Sequence, residues 1–297
     1  MEKFDLVTDS TKTPACTDTG NTYSCYACKT CVSVCPINIG SGKTRLQPAV
    51  IVRMANMGMH DQVLRLPELW YCLSCDRCSA LCPMNANPSQ LISSLRKEAF
   101  SSGIIDKGSV QQLERLVYRF PRALWHAAYL CIKGEDPAPI AGDFDHWTDQ
   151  PVIHNRDPLL VQKESSGTPH FRNEAADYFG LSSSLLSCLT CSECSNACPI
   201  SSLRKAFDPL FIFRMAALGM ENELLSSPSL WICLSCQSCT NACRQGVKGH
   251  LLIEKLKYLA VSKGILEKGF LERWRGIRAR LYDRLLEKMD HITGLGT

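Results

Sequence analysis

Apolar positions recur at helical spacing through most of this 297-residue chain. Ile51, Met54, Ala55 and Met59 lie near one face of a predicted helix. Further helices are expected from Ser89 to Phe100 and from Leu251 to Val261. Gly58 and Gly219 suit helix ends. Gly103 and Gly264 each close a helix, and an amphipathic helix follows each. In the later one the stripe is Leu266, Phe270, Trp274, Ile277, Leu281 and Leu285. In the earlier one it is Leu113, Leu116, Val117 and Phe120, and Pro121 is expected to stop it. The most apolar run, Ala123 to Ile132, contains His126 and reads as a core helix. It is too short for the roughly 18 apolar residues of a membrane span. No period-2 alternation of useful length appears, so the fold is expected to be mainly α.

The pattern occurs twice. Pro48, Ile51, Arg53, Met54 and Ala55 match Pro209, Ile212, Arg214, Met215 and Ala216, and Gly58-Met59 matches Gly219-Met220. Pro67, Leu69 and Trp70 match Pro228, Leu230 and Trp231, a shift of 161 residues (67 + 161 = 228). Such self-similarity marks an internal duplication. Between the copies lies a stretch with Pro137, Pro139, Pro151, Pro158, Pro169, Asp136, Asp143, Asp145, Asp149 and Asp157, expected to be an irregular linker. The segments are then 1–20, a polar tail; 21–132, the first copy; 133–170, the linker; and 171–297, the second copy with its C-terminal amphipathic helix.

The cysteines add the chemistry. Sixteen of 18 fall into four runs with the spacing C-x₂-C-x₂-C-x₃-C. The runs are Cys25, Cys28, Cys31, Cys35; Cys72, Cys75, Cys78, Cys82; Cys188, Cys191, Cys194, Cys198; and Cys233, Cys236, Cys239, Cys243. Proline follows the first three, and Arg244 follows the fourth. This is the ligand run of bacterial [4Fe-4S] ferredoxins, in which the fourth cysteine serves the other cluster of the pair. Cluster 1 is then expected on Cys25, Cys28, Cys31 and Cys82, and cluster 2 on Cys72, Cys75, Cys78 and Cys35. Cluster 3 is expected on Cys188, Cys191, Cys194 and Cys243, and cluster 4 on Cys233, Cys236, Cys239 and Cys198. Structural zinc prefers cysteine pairs with a longer spacer, and disulfides need an oxidising compartment. Cys16 and Cys131 stand outside the runs and read as ordinary thiols.

Charge changes little. Thirty-three Lys and Arg against 29 Asp and Glu leave a net +4, too small to argue for nucleic acid. The N-terminal residues carry no apolar run, so a secretory signal is not expected. With the clustered thiols, this points to the cytoplasm. Gly40-Ser41-Gly42-Lys43-Thr44 imitates the end of a phosphate-binding loop, but position 37, where another glycine is required, is Ile37. Trp70 and Trp231 precede the second run of each copy and are expected to pack beside the clusters. The arginines of the last helix and the linker are the expected partner surfaces.

The run pairs, with Arg53-Met54-Ala55, Gly58-Met59 and Leu69-Trp70-Tyr71-Cys72 between them, resemble the C-type iron–sulfur subunit of heterodisulfide reductase. Phe213-Arg214-Met215-Ala216, Gly219-Met220 and Leu230-Trp231-Ile232-Cys233 resemble it again. The resemblance covers about residues 23–120 and 179–285. It implies an α-helical ferredoxin domain in each copy, each holding two [4Fe-4S] clusters. It also implies relay of single electrons within a multisubunit complex. The relay would run between a flavin-containing subunit and a subunit with Cys-Cys-Gly motifs, like the A- and B-type components of that enzyme. The related fold in quinone-linked dehydrogenases and reductases leaves a membrane-associated complex as the alternative. The duplication, the long linker and Arg244 depart from the family. No adjacent Cys-Cys pair and no Gly-x-Gly-x-x-Gly fingerprint occurs, so no catalytic residue is expected, and the chain is expected not to be catalytic alone.

Overall fold

The structure, a computed structural model, describes residues 21–152, 169–201 and 207–295. These residues are largely helical, and the strands among them are the two-residue pairs Asp177–Tyr178 and Leu181–Ser182, which form one antiparallel hairpin. In the first copy, α1 spans Pro48–Asn56, α2 spans Pro88–Ser101 and α3 spans Lys107–Lys133. In the second, α4 spans Pro209–Ala217, α5 spans Gly249–Ser262 and α6 spans Phe270–Thr293. The counterparts stop alike, and three of them open on proline. Pro48, Pro88 and Pro209 open their helices, where a missing N–H costs nothing. Gly58 and Gly219 adopt the left-handed conformation just beyond α1 and α4, and Gly103 and Gly264 do so beyond α2 and α5.

Pro121 does not stop its helix. α3 begins at Lys107, where the Asp106 carboxylate accepts from the Ser109 N–H, and runs through Pro121 to Lys133. The stripe explains the continuation. Phe120, Ala123, Leu124, Ala127, Ala128 and Cys131 are all buried, so core packing on both sides of the proline outweighs the one lost backbone bond. The linker is also more regular than its prolines suggest. Ala138–Gly142 and Phe144–Asp149 are helical, with the Asp143 side chain capping the latter. Linker positions 153–168 lie outside the described residues, as do the tail 1–20 and Cys16.

The two long helices cross between the copies. α6 packs along α3, along Pro36–Ser41 and against Glu68–Tyr71 of the first copy. α3 packs against Ser229–Ile232 of the second copy. Glu68–Tyr71 and Ser229–Ile232 are repeat-related, so each copy sends its last helix onto the same site of the other. Phe270, Trp274, Ile277, Leu281, Tyr282, Leu285 and Met289 bury α6 along one stripe. Its arginines serve the same seam. Arg273 donates to the Cys131 carbonyl and Arg278 to the Ile39 carbonyl. The last helix is thus a spine of the molecule before it is a partner surface.

The imitation phosphate loop belongs to this seam. A Cβ on Gly40 would overlap the buried Tyr282 ring, so glycine permits the approach of α6. Lys43 and Arg45 both pair with Asp283, at 2.9 and 2.7 Å, and the Tyr71 hydroxyl donates to Asp290 at 2.5 Å.

Candidate metal centre

All four cysteine runs have one backbone. In each, the residue before the second cysteine and the residue after it are left-handed: Ala27 and Lys29, Ser74 and Asp76, Thr190 and Ser192, Ser235 and Gln237. None is glycine, so each of the eight costs on the order of 1 kcal/mol or more. Such strain persists only where the surroundings demand it. Alternating left- and right-handed residues curl the chain into a nest whose N–H groups face an anion. The curl also sets thiols three residues apart on the inside of one turn. A one-turn helix then begins at the residue before the third cysteine: Thr30–Ser33, Arg77–Ala80, Glu193–Asn196 and Ser238–Asn241.

Two four-thiol cradles are clearly drawn. Cys35 joins Cys72, Cys75 and Cys78 around a small cavity of about 20 Å³, walled by Ile37, Leu46, Pro48, Leu73 and Ile92. Cys198 joins Cys233, Cys236 and Cys239 around another of about 20 Å³, walled by Ile200, Phe207, Leu234 and Ile253. In both, the fourth thiol comes from the other run of its copy. Within each copy the one-turn helices of the two runs also meet. Thr30–Ser33 packs against Arg77–Ala80, and Glu193–Asn196 against Ser238–Asn241. The Ser24 hydroxyl donates to the Met84 carbonyl at 2.8 Å and ties the start of the first run to the end of the second.

Burial governs the thiols. It pushes Cys31 and Cys194 up to about 11 and Cys75 and Cys198 up to about 12, with neighbouring thiolates adding to the rise. Cys78, Cys239, Cys35 and Cys233 are raised for the same first reason. A buried thiolate needs a positive partner, and iron supplies it. Donors already point at the sulfurs. The Ser74 N–H reaches Cys72 Sγ and the Ser235 N–H reaches Cys233 Sγ, both at 3.4 Å, and the Ala86 N–H reaches Cys82 Sγ at 3.3 Å. Among the described residues no three His, Cys, Asp or Glu side chains converge tightly enough for a single ion. Four soft donors spread around an apolar space fit a polynuclear cluster.

The tryptophans do not wall these cradles. Trp70 lies beneath the Arg96 guanidinium, 5.5 Å from its ring centre, and Trp231 meets Phe270 edge-on at 4.6 Å. Each precedes its run by two residues on a short helix whose outer side faces the seam. Cys131 is a buried thiol of α3, far in sequence from any run. A cation of α2, Arg96, was not singled out by the sequence pattern. It donates to the Leu69 and Cys72 carbonyls, each at 2.6 Å. Its alignment with Lys257 (96 + 161 = 257) is the signal that could have found it.

Nests, crossed thiols and apolar walls define an iron–sulfur protein. The comparisons agree: residues 24–87 match the model of a 4Fe-4S dicluster domain, and residues 184–247 match a second model of that description. No curated protein and no solved structure matches the chain. The chain is therefore a tandem of two 4Fe-4S dicluster domains, mainly α, with four [4Fe-4S] clusters and an electron-transfer role. Among the described residues no helix is long and apolar enough to cross a membrane.

Proposed function

We propose that this chain is the electron-relay component of a multisubunit redox complex of the heterodisulfide reductase kind. Its partners there would be a flavin-containing subunit and a subunit with Cys-Cys-Gly motifs. The ligand sets we propose are the crossed ones: Cys25, Cys28, Cys31 and Cys82; Cys72, Cys75, Cys78 and Cys35; Cys188, Cys191, Cys194 and Cys243; and Cys233, Cys236, Cys239 and Cys198. The observation that carries the reading is the arrival of Cys35 and Cys198 at the neighbouring runs' cradles.

Bound clusters supply reversible one-electron storage. The residues of the chain do the rest. Four thiolates per set fill the ligand positions and leave none open for a substrate, unlike a catalytic metal site. Ile37, Leu46, Leu73 and Ile92, with Ile200, Phe207, Leu234 and Ile253, keep water from the sulfurs. The N–H groups of Ser74, Ser235 and Ala86 stabilise negative charge on them. Cys28 and Cys191 are the exposed thiols of the runs, which suits exchange with external carriers.

Anaerobic isolation from the native source tests the reading. We expect flavin-bearing and Cys-Cys-Gly-bearing chains to accompany it. The isolated chain should take electrons from dithionite and return them to a dye, yet turn over no disulfide. Isolation only with a membrane quinone-reducing complex, or disulfide turnover by the chain alone, would sink the proposal.

A further inference from the structure

The second runs of the two copies meet at the seam. The Ser238 hydroxyl donates to the Cys75 carbonyl at 3.2 Å and stands 3.2 Å from Cys236 Sγ. One hydroxyl therefore spans a cysteine of the first copy's cradle and a thiol of the second copy's cradle. The repeat-related residue on the other side is Arg77 (77 + 161 = 238). Its Nη1 donates to the Leu234 carbonyl, inside the fourth run, at 3.4 Å. Each second run thus reaches across to the backbone of the other. The first and third runs show the opposite character: Cys28 and Cys191 face solvent, flanked by exposed Tyr26 and Leu189.

Arg77 also brings charge to the seam. It lines the groove between the copies with His250 and Glu254 of the second copy and Pro36 of the first. Its Nε is buried without a partner. Holding a half-buried cation there is costly, and the nearby Glu254 carboxylate feels its charge without a direct ion pair. Two thiolate-rich cradles, one on either side, offset that cost.

Resting on the relay reading, we infer that Ser238 and Arg77 clamp the two second runs into an inner pair. The thiol sets headed by Cys25, Cys72, Cys233 and Cys188 then stand in that order, and Arg77 holds positive charge between the middle two. Arg77 is a positioning residue in this scheme, acting on the inner sets through its charge. The two outer sets are the ends of the line.

The test uses the full chain, loaded anaerobically and reduced with dithionite, which supplies one electron to each cluster. Pulsed EPR reads magnetic coupling between clusters. In the double variant Cys25→Ala/Cys188→Ala the two remaining clusters should couple to each other. In Cys72→Ala/Cys233→Ala the two remaining clusters should give uncoupled signals. The reverse result, or two isolated pairs in the parent protein, overturns the order. A second measurement leaves every ligand in place. Arg77→Gln should lower the reduction potentials of the two inner clusters and spare the outer two, and Arg77→Lys should restore most of the shift. Equal shifts at all four clusters, or none, overturn the role of Arg77. Iron content separates the two readings. Well under about 16 irons per parent chain sinks the four-cluster relay itself, whereas a full complement with uncoupled inner clusters sinks only the order.

Discussion

The two copies share a backbone at every cysteine run, yet they treat the cation beside the second run differently. In the first copy Arg96 stands near Cys72, holding the Leu69 and Cys72 carbonyls and covering Trp70. No carboxylate meets it among the described ion pairs. In the second copy the same position is Lys257, paired at 3.0 Å with Glu254. Glu254 also accepts from the Ser235 hydroxyl. Its counterpart in the first copy is Ser93 (93 + 161 = 254). One cradle therefore feels a bare cation, and the other feels a cation that its carboxylate neighbour offsets only in part. Positive charge near a cluster favours the reduced form, so the Cys72 cluster is expected to have the higher potential, which a redox titration checks. The two repeat-related sites differ through single residues at their edges.

A second difference is steric. Val52 of α1 becomes Phe213 of α4, and the extra volume points at the start of α5. There Pro88 of the first copy becomes Gly249. A Cβ on Gly249 would overlap the Phe213 ring and stand 3.0 Å from Cys239 Sγ. The two changes compensate, and a ligand thiol lies against them.

The largest effects test what the copies share. Cys35→Ala and Cys198→Ala should each remove about 4 of about 16 irons, and the cluster lost should be the one on Cys72, Cys75 and Cys78 or on Cys233, Cys236 and Cys239. Iron analysis and cluster-resolved EPR check this. Loss of the mutated run's own cluster would break the crossed pattern. Next comes packing. Gly249→Ala should destabilise the protein by about 1–3 kcal/mol through overpacking, and adding Phe213→Val should recover most of it. Pro88→Ala in the first copy should change stability far less. Denaturant titration under argon reads all three.

Smaller shifts sharpen the electrostatic contrast. Glu254→Gln should raise the potential of the cluster beside Cys233, while Arg96→Gln should lower that of the cluster beside Cys72, so the gap closes from both ends. A redox titration followed by EPR gives both directions. Shifts of the same sign would dissolve the comparison. The smallest effect lies in α3, which has no histidine counterpart in α6. Burial holds His126 below its ordinary value, with His146 adding to the depression against the opposing carbonyls of Gln150 and Pro151. The unfolded chain then binds the extra proton as pH falls below about 6.5. Stability present above that pH is lost below it, toward the folded value. Melting curves from pH 7 to 5 should fall less steeply for His126→Phe than for the parent protein.

The runs, the duplication, the helices from 88 to 101 and 249 to 262, and the stripe of α6 were legible because each is local or periodic. Thiols at i, i+3 and i+6 advertise themselves, and so do glycines at helix ends. The left-handed positions were not legible. Ala27, Lys29, Ser74 and Gln237 give no warning of a positive φ, since the turn of the run and not the residue type imposes it. Pro121 and the linker prolines misled for the opposite reason. Their local preference is plain, but the buried stripe of α3 and the Asp143 cap decide the outcome. The seam was invisible, because Ser238 and Arg77 are ordinary residues until the fold brings them opposite Cys75 and Leu234.

The crossing of α3 and α6 has a consequence for how the molecule responds to dilution. In separate chains, such an exchange of helices would be a second-order association, and lowering the concentration would part the halves. Here the halves share one chain, so each meets its partner at a fixed effective concentration, of the order of millimolar for short flexible tethers. Tyr282 on Gly40, Asp283 on Lys43 and Arg45, and Asp290 on Tyr71 are contacts of that intramolecular kind. The joint between the two dicluster domains is therefore independent of how scarce the protein is in the cell.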